Sequence, residues 1–342
     1  MTTFSLGGVT IYGYGAAVAL AAVLALVLAH FQVRRAGLKS ATLSTFALLA
    51  LPLCLLLSRL AYCLIRLGWF TQKGAGWFFN FASGGYVLYG ALAGGLIAAY
   101  LASRLTRQSF GRVCDALAAP TALLIGLSRL AEGLADEGFG WDMETWFSAD
   151  SGMSLFHPED PASLFFFPLG YYREAWDTWY FATFVFAALI ALVICVILLR
   201  VRPRFDGDRT LLLLLLYGAM QALCESMRQD SVLRWGFVRS SQVISAVVVA
   251  AVLLIYCRRM TAGPGRKVRI ARSWIELLCG MLVIIAMEFC VEKKIVFLEW
   301  VPTDVCYLIM GLACVGLILC VLPIRRRCAA DASRAQGGRV AC

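Results

Sequence analysis

Long apolar segments separated by short polar connections occupy most of the chain. Each segment is about 18–25 residues long, and a helix of that length covers the hydrocarbon core of a bilayer. The pattern therefore predicts an all-α, polytopic membrane protein. We place its nine predicted spans at residues 9–30, 41–66, 84–103, 113–135, 176–199, 210–228, 240–257, 274–291 and 304–323.

The charge of the connections alternates along the chain. Those after spans 1, 3, 5 and 7 are basic, as is the C-terminal tail, whereas the others are acidic or nearly neutral. The segment 136–175 carries eight Asp or Glu residues against Arg173 alone. Because basic connections stay in the cytoplasm, we expect the N-terminus outside and the C-terminus inside. The first segment lacks a basic leader and a small-residue cleavage site, so we expect an uncleaved span.

Composition narrows the possible function classes. The chain has 342 residues, of which 61% are hydrophobic and 15% charged; soluble domains average about 45–50% apolar and about 25% charged. The net charge of +10 follows the predicted topology, so it indicates contact with anionic lipid headgroups and not with nucleic acid.

Cysteine and histidine give no sign of a metal centre. The thirteen cysteines are scattered singly and are expected to be small buried hydrophobes. His30 and His157 have no partners at the spacing of metal ligands. We predict no metal and no cofactor.

Four regions are expected. Residues 1–257 form a seven-helix core, and a basic linker with Gly and Pro, 258–273, separates it from an extra helix pair at 274–323 and a cytoplasmic tail at 324–342. Residues 141–175 are too many for a turn and too aromatic for a disordered linker. We expect them to cover the outer face as a cap or a membrane-dipping arm.

Polar side chains within the spans are expected at one depth. A charge inside a span costs at least about 2.5 kcal/mol, so the charges that do occur either form ion pairs that fix helix register or mark a functional site. With the predicted topology, polar groups on five spans lie within about 10 Å of the outer ends. They are Tyr14, Arg59, Tyr89, Arg129, and the pair Gln221 and Glu225.

Helical spacing groups these residues further. Arg129, Glu132 and Asp136 are spaced i, i+3, i+7, which predicts one face of span 4. Gln221, Glu225 and Arg228 are spaced i, i+4, i+7, which predicts one face of span 6. Gly90 and Gly94 form a small-xxx-small pair that lets a helix or a lipid chain approach closely.

Six blocks of sequence resemble, in order, the motifs of prolipoprotein diacylglyceryl transferases. "IYGYGAAVAL" resembles the W-Y-G-rich first span, "SRLAYCLIRLGWF" resembles G-R-[LI]-G-Y, and "SGGYVLYGALAGG" resembles G-G-M-S-F-H-G-G-L. "SRLAEGLADEGFG" is similar to the signature G-R-I-G-N-F-x-N-x-E-x-x-G. "YGAMQALCESMRQD" and "SSQVIS" resemble Y-G-x-x-R-F-x-x-E-x-x-R-x-x-D and G-Q-x-x-S. The matching residues are Tyr14, Arg59, Tyr62, Gly85, Gly90, Arg129, Glu137, Gly140, Tyr217, Gly218, Glu225, Arg228 and Gln242.

The resemblance covers about residues 9–257 and omits spans 8 and 9. It implies transfer of the diacylglyceryl group of phosphatidylglycerol to the lipobox cysteine of exported preprolipoproteins, with release of glycerol 1-phosphate, in the bacterial cytoplasmic membrane. Three positions depart from the family pattern: Tyr89 replaces a histidine, Glu132 an asparagine and Gln221 an arginine.

The transfer needs a thiolate and a stabilised leaving phosphate. We predict that Arg129 binds the phosphate together with Arg59 or Arg228. Glu132, Glu137 and Glu225 are candidate bases, since desolvation raises a carboxyl pKa, and Tyr89 is a candidate hydrogen-bond donor or lipid-positioning residue. The surface at Gly90 and Gly94 is expected to line an acyl-chain groove. The remaining candidates for substrate binding are Tyr14, Tyr62, Gly85, Gly140, Gln221 and Gln242.

Two other functions fit a membrane protein of this kind. A catalytically altered relative could serve as a lipid- or lipoprotein-binding scaffold with the same pocket. A transporter would also carry charges within its spans, but transporters place their sites near the midplane and show inverted repeats. Here the charges lie toward one leaflet and no repeat is visible, which favours the transferase.

Overall fold

The computed structural model describes residues 3–6, 9–81, 84–230, 234–235, 238–260, 265–294, 298 and 300–340. Within these residues, nine helices are long and apolar enough to cross a membrane, which confirms the predicted all-α polytopic class. Two short helices and three small hairpins complete the fold. The helices are α1 Gly13–Arg35, α2 Ser40–Ile65, α3 Leu67–Lys73, α4 Leu88–Thr106, α5 Phe110–Ala131, α6 Met143–Phe147, α7 Thr183–Arg200, α8 Asp208–Met227, α9 Ser240–Arg259, α10 Arg266–Val291 and α11 Thr303–Val340.

The hairpins lie between the helices and are all antiparallel. Strands β1 (Thr3–Leu6) and β2 (Val9–Tyr12) precede α1, and β3 (Gly170–Arg173) pairs with β4 (Thr178–Phe181) before α7. The two-residue strands β5 (Arg234–Trp235) and β6 (Val238–Arg239) precede α9.

Several predicted span boundaries are wrong by a few residues. Residues 9–12 belong to β2, and the fifth span begins only at Thr183, after β4. The third span begins at Leu88 because Gly84 and Gly85 have φ values of +70° and +79°, which a right-handed helix does not admit. The fourth span, α5, ends at Ala131 and is followed by a turn of 3-10 helix, Glu132–Ala135.

The C-terminal boundaries differ as well. α10 begins at Arg266, inside the predicted linker 258–273, and the residues 261–264 of that linker lie outside the described residues. α11 continues to Val340 through most of the predicted tail. Basic residues end a membrane span, but they are good helix formers and do not end the helix itself.

Helices α5 and α8 form the centre of the bundle. In each, 67% of the most apolar 18-residue window is buried, against 17% for α2. One cluster of buried side chains joins α5, α7 and α8, and another joins α8 and α9 to α10 and α11. Small residues such as Ala118 and Ala119 on α5 allow this close approach. The two central helices therefore have little freedom to move relative to each other.

The long segment 141–175 is folded. It contains α6 and strand β3, and Trp146 and Phe147 of α6 are buried with Cys306 and Tyr307 of α11. The cysteines match the expectation of buried hydrophobes, since most of the twelve described cysteines are buried and all twelve are free.

Successive long helices run in opposite directions. We call the end of the bundle where α5 and α8 terminate, at Ala131 and Met227, the site end. We call the opposite end, where α1, α4, α7 and α9 terminate in basic residues, the basic end.

Candidate functional site

Arg129 lies in the last turn of α5 and is 8% exposed. Its Nη1 donates to Glu132 Oε1 at 2.7 Å. Its Nη2 is 3.5 Å from both Glu225 Oε1 and the Tyr217 hydroxyl, on α8. Although the α-helix gives way to a 3-10 turn at Glu132, Arg129 and Glu132 still lie on the same face, as their i, i+3 spacing predicts. Arg129 is thus held between the ends of α5 and α8.

A second arginine meets the same carboxylates. Arg228 follows α8 with an extended backbone, and its Nη1 lies 3.2 Å from Glu132 Oε2 and 3.8 Å from Glu225 Oε1. Its Nε and Nη2 donate to both oxygens of Asp230, at 2.9 and 3.0 Å. We refer to Arg129, Glu132, Glu225, Arg228 and Asp230 as the arginine–carboxylate cluster.

The protonation states of the cluster follow from these contacts. Burial alone would lower the pKa of Arg228, but the Glu132 and Glu225 carboxylates raise it above its usual value. Burial alone would raise the pKa of Asp230, yet the hydrogen bonds from Arg228 and from the backbone N–H of Gly138 hold it below the usual range. Both groups are therefore firmly charged near neutral pH.

Glu137 differs from the other carboxylates. Its side chain is exposed at the surface beside the cluster. Desolvation by its protein surroundings raises the pKa of Glu137, and the nearby Asp230 and Glu132 carboxylates raise it further. Of the three candidate bases, Glu137 is the one that is exposed.

The predicted face of span 6 is confirmed. Gln221 donates to Glu225 Oε1 at 2.6 Å, and Glu225 lies 3.8 Å from Arg228. The family pattern has an arginine at position 221. Here that position is buried beside the cluster, since Gln221 is 2% exposed.

The predicted face of span 4 is wrong in one member. Asp136 has φ +60° after the 3-10 turn, which interrupts the helical periodicity. Its carboxylate accepts from Arg173 of β3 at 2.8 and 2.9 Å, not from Arg129. Asp136 therefore joins the hairpin β3–β4 to the site end.

Two tyrosines flank the cluster. Tyr89, on α4, is 2.5 Å from the Ser245 hydroxyl of α9 and within electrostatic range of Glu225 and Arg129. Tyr14, at the start of α1, is 38% exposed and within electrostatic range of Glu132 and Glu137. Four of the five predicted spans thus bring their polar groups together.

Arg59 is the exception: of the two predicted partners of Arg129, Arg59 and Arg228, it is Arg59 whose described contacts lie elsewhere. Its fully buried guanidinium donates to backbone carbonyls of the segment between α3 and α4 and stacks over the Trp77 ring at 4.0 Å. None of those carbonyls belongs to the cluster, so Arg59 orders this segment and leaves Arg228 as the partner of Arg129. The acceptors are the carbonyls of Trp77, Phe78, Asn80, Gly84 and Gly85.

Tyr62 and Gly85 belong to the same arrangement. A Cβ at Gly85 would lie 2.7 Å from both Arg59 Nη1 and Tyr62 Cε1, and its φ of +79° also requires glycine. Gly140 has a comparable role near the cluster, where a Cβ would lie 2.6 Å from Thr183 Cγ2.

The acyl-chain groove predicted at Gly90 and Gly94 is also wrong. A Cβ at Gly90 would meet the Leu57 carbonyl oxygen at 2.5 Å, and one at Gly94 would meet the Leu53 carbonyl oxygen at 2.5 Å. These glycines face the backbone of α2, so the small-xxx-small pair serves helix packing.

Gln242 connects α9 to its neighbours. Its amide donates to the Ala222 carbonyl at 3.3 Å and to Glu288 Oε2 at 3.1 Å, and its oxygen accepts from Arg239 N at 3.3 Å.

Sequence reasoning missed three residues: Asp230, Ser245 and Glu288. Asp230 and Ser245 lie within blocks that resemble family motifs, and Glu288 is a charge inside predicted span 8. Among the described residues, no three His, Cys, Asp or Glu side chains are grouped so that they could hold a metal ion.

Comparison with known proteins extends the resemblance. The family model described as prolipoprotein diacylglyceryl transferase matches residues 1–258. The phosphatidylglycerol–prolipoprotein diacylglyceryl transferase of Halalkalibacterium halodurans is 28% identical over 263 residues, covering 75% of this chain and 86% of the relative.

Other relatives of the same name have similar values. The protein of Lysinibacillus sphaericus is 28% identical over 77% of this chain and 94% of its own length. The protein of Listeria innocua is 26% identical over 76% of this chain and 90% of its own length. The match includes α1 to α9 and stops before α10. The chain belongs to the prolipoprotein diacylglyceryl transferase family.

Proposed function

We propose that this protein transfers the diacylglyceryl group of phosphatidylglycerol to the cysteine thiol of exported prolipoproteins, a step in bacterial lipoprotein maturation. Family membership supports the reaction. The observation that carries the proposal for the site is that Arg129 and Arg228 share Glu132 and Glu225. Two guanidinium groups, one from α5 and one from the residue that follows α8, are thereby held within reach of one phosphate.

The site end faces the outside of the cytoplasmic membrane, and the basic end faces the cytoplasm. The arginines at the ends of α1, α4, α7 and α9 support this orientation. It puts the N-terminus outside and the C-terminus inside. The cluster then meets lipids and exported precursors at the outer leaflet.

The lipid phosphate binds between Arg129 and Arg228. Planar guanidinium groups suit this role because they make paired, charge-assisted hydrogen bonds. The phosphate displaces Glu225 first, since its contacts with the two arginines, 3.5 and 3.8 Å, are the longest in the cluster. Gln221 retains the displaced carboxylate through its 2.6 Å hydrogen bond.

Glu137 acts as the base. The precursor's thiol gives its proton to the Glu137 carboxylate, and the sulfur forms a bond to the glyceryl carbon that carries the phosphate ester. The carbon–oxygen bond breaks, and glycerol 1-phosphate leaves with the bonding electron pair. Arg129 and Arg228 stabilise the second negative charge as it develops on the phosphate.

Tyr89 orients the lipid instead of acting as a base. Its hydroxyl is engaged with Ser245 at 2.5 Å, and a phenol is a poor proton acceptor near neutral pH. Tyr14, which is partly exposed beside Glu137, borders the entrance for the lipobox segment.

An in vitro transfer assay tests the proposal. Labelled phosphatidylglycerol and a lipobox peptide are given to the full-length protein, to Arg129→Ala and to a control, Arg104→Ala, whose arginine is exposed at the basic end. We expect wild type and control to transfer alike, and Arg129→Ala to lose about 10²–10³-fold, the effect of removing one donor to a developing charge.

Two outcomes would contradict the proposal. Unchanged transfer by folded Arg129→Ala would refute the phosphate site. Binding of lipid by the wild type without any transfer would favour the alternative function, a lipid- or lipoprotein-binding scaffold.

A further inference from the structure

Helices α10 and α11 lie outside the family match, which ends at residue 258. They nevertheless share a buried apolar cluster with α8 and α9. At the site end they also make polar contacts with the core. Tyr307 of α11 donates to the Ser226 carbonyl at 3.1 Å and accepts from Trp141 Nε1 at 2.9 Å.

Glu288 of α10 makes the second set of polar contacts. It is 5% exposed. Its Oε2 accepts from the Ser226 hydroxyl at 2.6 Å and from Gln242 Nε2 at 3.1 Å. Its Oε1 is buried and has no hydrogen-bond partner in the part of the chain that the structure describes. Burying a carboxylate with one unsatisfied oxygen is unfavourable. Helix packing does not explain Glu288, because apolar side chains already hold the helices together.

The contacts of Glu288 lead directly to the arginine–carboxylate cluster. Ser226 lies between Glu225 and Arg228 in the chain, at the point where α8 ends and the backbone becomes extended. Gln242 donates from α9 to the Ala222 carbonyl, one turn earlier on α8. A single carboxylate oxygen thus joins the C-terminal end of α8 to the N-terminal end of α9.

We propose that Glu288 is a positioning residue for the transfer reaction, supplied by a helix that the family model does not include. It fixes the end of α8, and through it the directions of Glu225 and Arg228. The extra helix pair is then part of the working site. This inference rests on the proposed function for its readout, since a rate of transfer is measured.

The experiment compares full-length variants in the transfer assay with thermal unfolding measured in the same detergent. We expect Glu288→Ala to lower kcat at least tenfold with a smaller change in KM, because positioning of Arg228 matters most as charge develops. Glu288→Gln should stay within about threefold of wild type. Its amide oxygen still accepts from Ser226 and Gln242, and its NH₂ replaces the unpartnered Oε1.

The matched control is Glu276→Ala. Glu276 lies on the same helix near the basic end, where it pairs with the exposed Arg272, and we expect wild-type transfer. Ser226→Ala removes the partner from the core side and should reproduce the loss of Glu288→Ala. The double variant should lose no more than either single variant, as expected for residues that act together.

Several results would overturn the inference. One is a kcat equal to that of the wild type in folded Glu288→Ala or folded Ser226→Ala. Another is a fall in kcat for Glu288→Gln as large as that for Glu288→Ala. If Glu288→Ala does not fold, Glu288→Gln and Ser226→Ala decide.

If the wild type transfers nothing, the proposed function fails, and stabilisation by added phosphatidylglycerol becomes the measure. Glu276→Ala should keep that stabilisation, and Glu288→Ala should lose it; equal stabilisation of both would refute the inference.

Discussion

Glu225 is held more loosely by the two arginines than by its neighbour on the same helix. It is 3.5 and 3.8 Å from Arg129 and Arg228 but accepts a 2.6 Å hydrogen bond from Gln221. The described cluster contains two guanidinium groups and three carboxylates, so an incoming phosphate has to compete for the arginines. The residue at 221 therefore influences how readily Glu225 gives way.

Replacing Gln221 with arginine should preserve or raise transfer. An arginine there would pair with Glu225 and add a positive charge next to the proposed phosphate position, which lowers KM for phosphatidylglycerol. Steady-state kinetics of Gln221→Arg against Gln221→Leu checks this, since leucine has a similar shape to glutamine but cannot hold Glu225. A higher KM in Gln221→Arg than in wild type would show that position 221 does not face the phosphate.

If Glu137 is the base, as proposed, transfer should depend on pH. The proposed base must be ionised, so kcat should fall as the pH drops through the pKa of Glu137. Desolvation by the surrounding protein and the Asp230 and Glu132 carboxylates raise this pKa above its usual value. A pH profile of kcat measures this limb. Glu137→Gln should lose about 10²–10⁴-fold, the contribution of a general base.

The control for that profile is Glu144→Gln, an exposed glutamate of α6, which should leave it unchanged. A profile of the same shape in the residual activity of Glu137→Gln would assign the base to another group, with Glu132 and Glu225 as the remaining candidates.

Helices α2 and α4 approach each other closely because α4 presents glycine to the α2 backbone. Cβ atoms at Gly90 and Gly94 would lie 2.5 Å from carbonyl oxygens of α2. The same two helices carry Arg59 and Tyr89. Their separation therefore determines both the order of the segment between α3 and α4 and the position of Tyr89 beside the cluster.

Gly90→Ala should destabilise the protein. The added methyl group has to push against main-chain atoms of Leu57 and Ser58, and overpacking of this kind costs about 1–3 kcal/mol in the free energy of unfolding. Thermal unfolding in detergent measures the effect. Gly95→Ala, on the same helix, is the control, because its Cβ would meet only Cys54 Sγ at 3.9 Å. Equal unfolding temperatures for the two variants would restore the acyl-chain groove as an interpretation.

The extra helix pair is attached to the core at both ends of the bundle. At the basic end, Arg325 of α11 donates to both oxygens of Asp208 at 2.8 and 2.7 Å. Asp208 begins α8 and is fully buried, and Tyr256 of α9 donates to it at 3.3 Å. Together with the Glu288 and Tyr307 contacts at the site end, this makes α8 the helix on which core and extension meet.

Arg325→Ala should lower the free energy of unfolding by about 3–5 kcal/mol, because it leaves a buried carboxylate without its partner. Chemical unfolding of the full-length protein measures it, with the exposed Arg327→Ala as control. A double variant that also replaces Asp208 with asparagine should recover part of the loss. An unchanged free energy in Arg325→Ala would mean that the Arg325–Asp208 ion pair does not help to hold α11.

The amino-acid sequence by itself determined the membrane class, the nine apolar spans found among the described residues, and Arg129 as one arginine of the cluster, with Arg228 as one of two possible partners. Hydrophobic length and charge distribution act locally along the chain, so they can be read without knowing which helices touch. The i, i+4, i+7 face of Gln221, Glu225 and Arg228 was predictable for the same reason.

Only the tertiary structure decided which partners these side chains have. Arg59 and Arg129 look equivalent by depth, yet Arg59 of α2 donates to backbone carbonyls of the segment between α3 and α4. Asp136 leaves the Arg129 face because the helix ends early. Glu288, on a helix that no motif marks, accepts a hydrogen bond from Ser226, the residue after Glu225. Such contacts join residues far apart in the chain, and local periodicity carries no information about them.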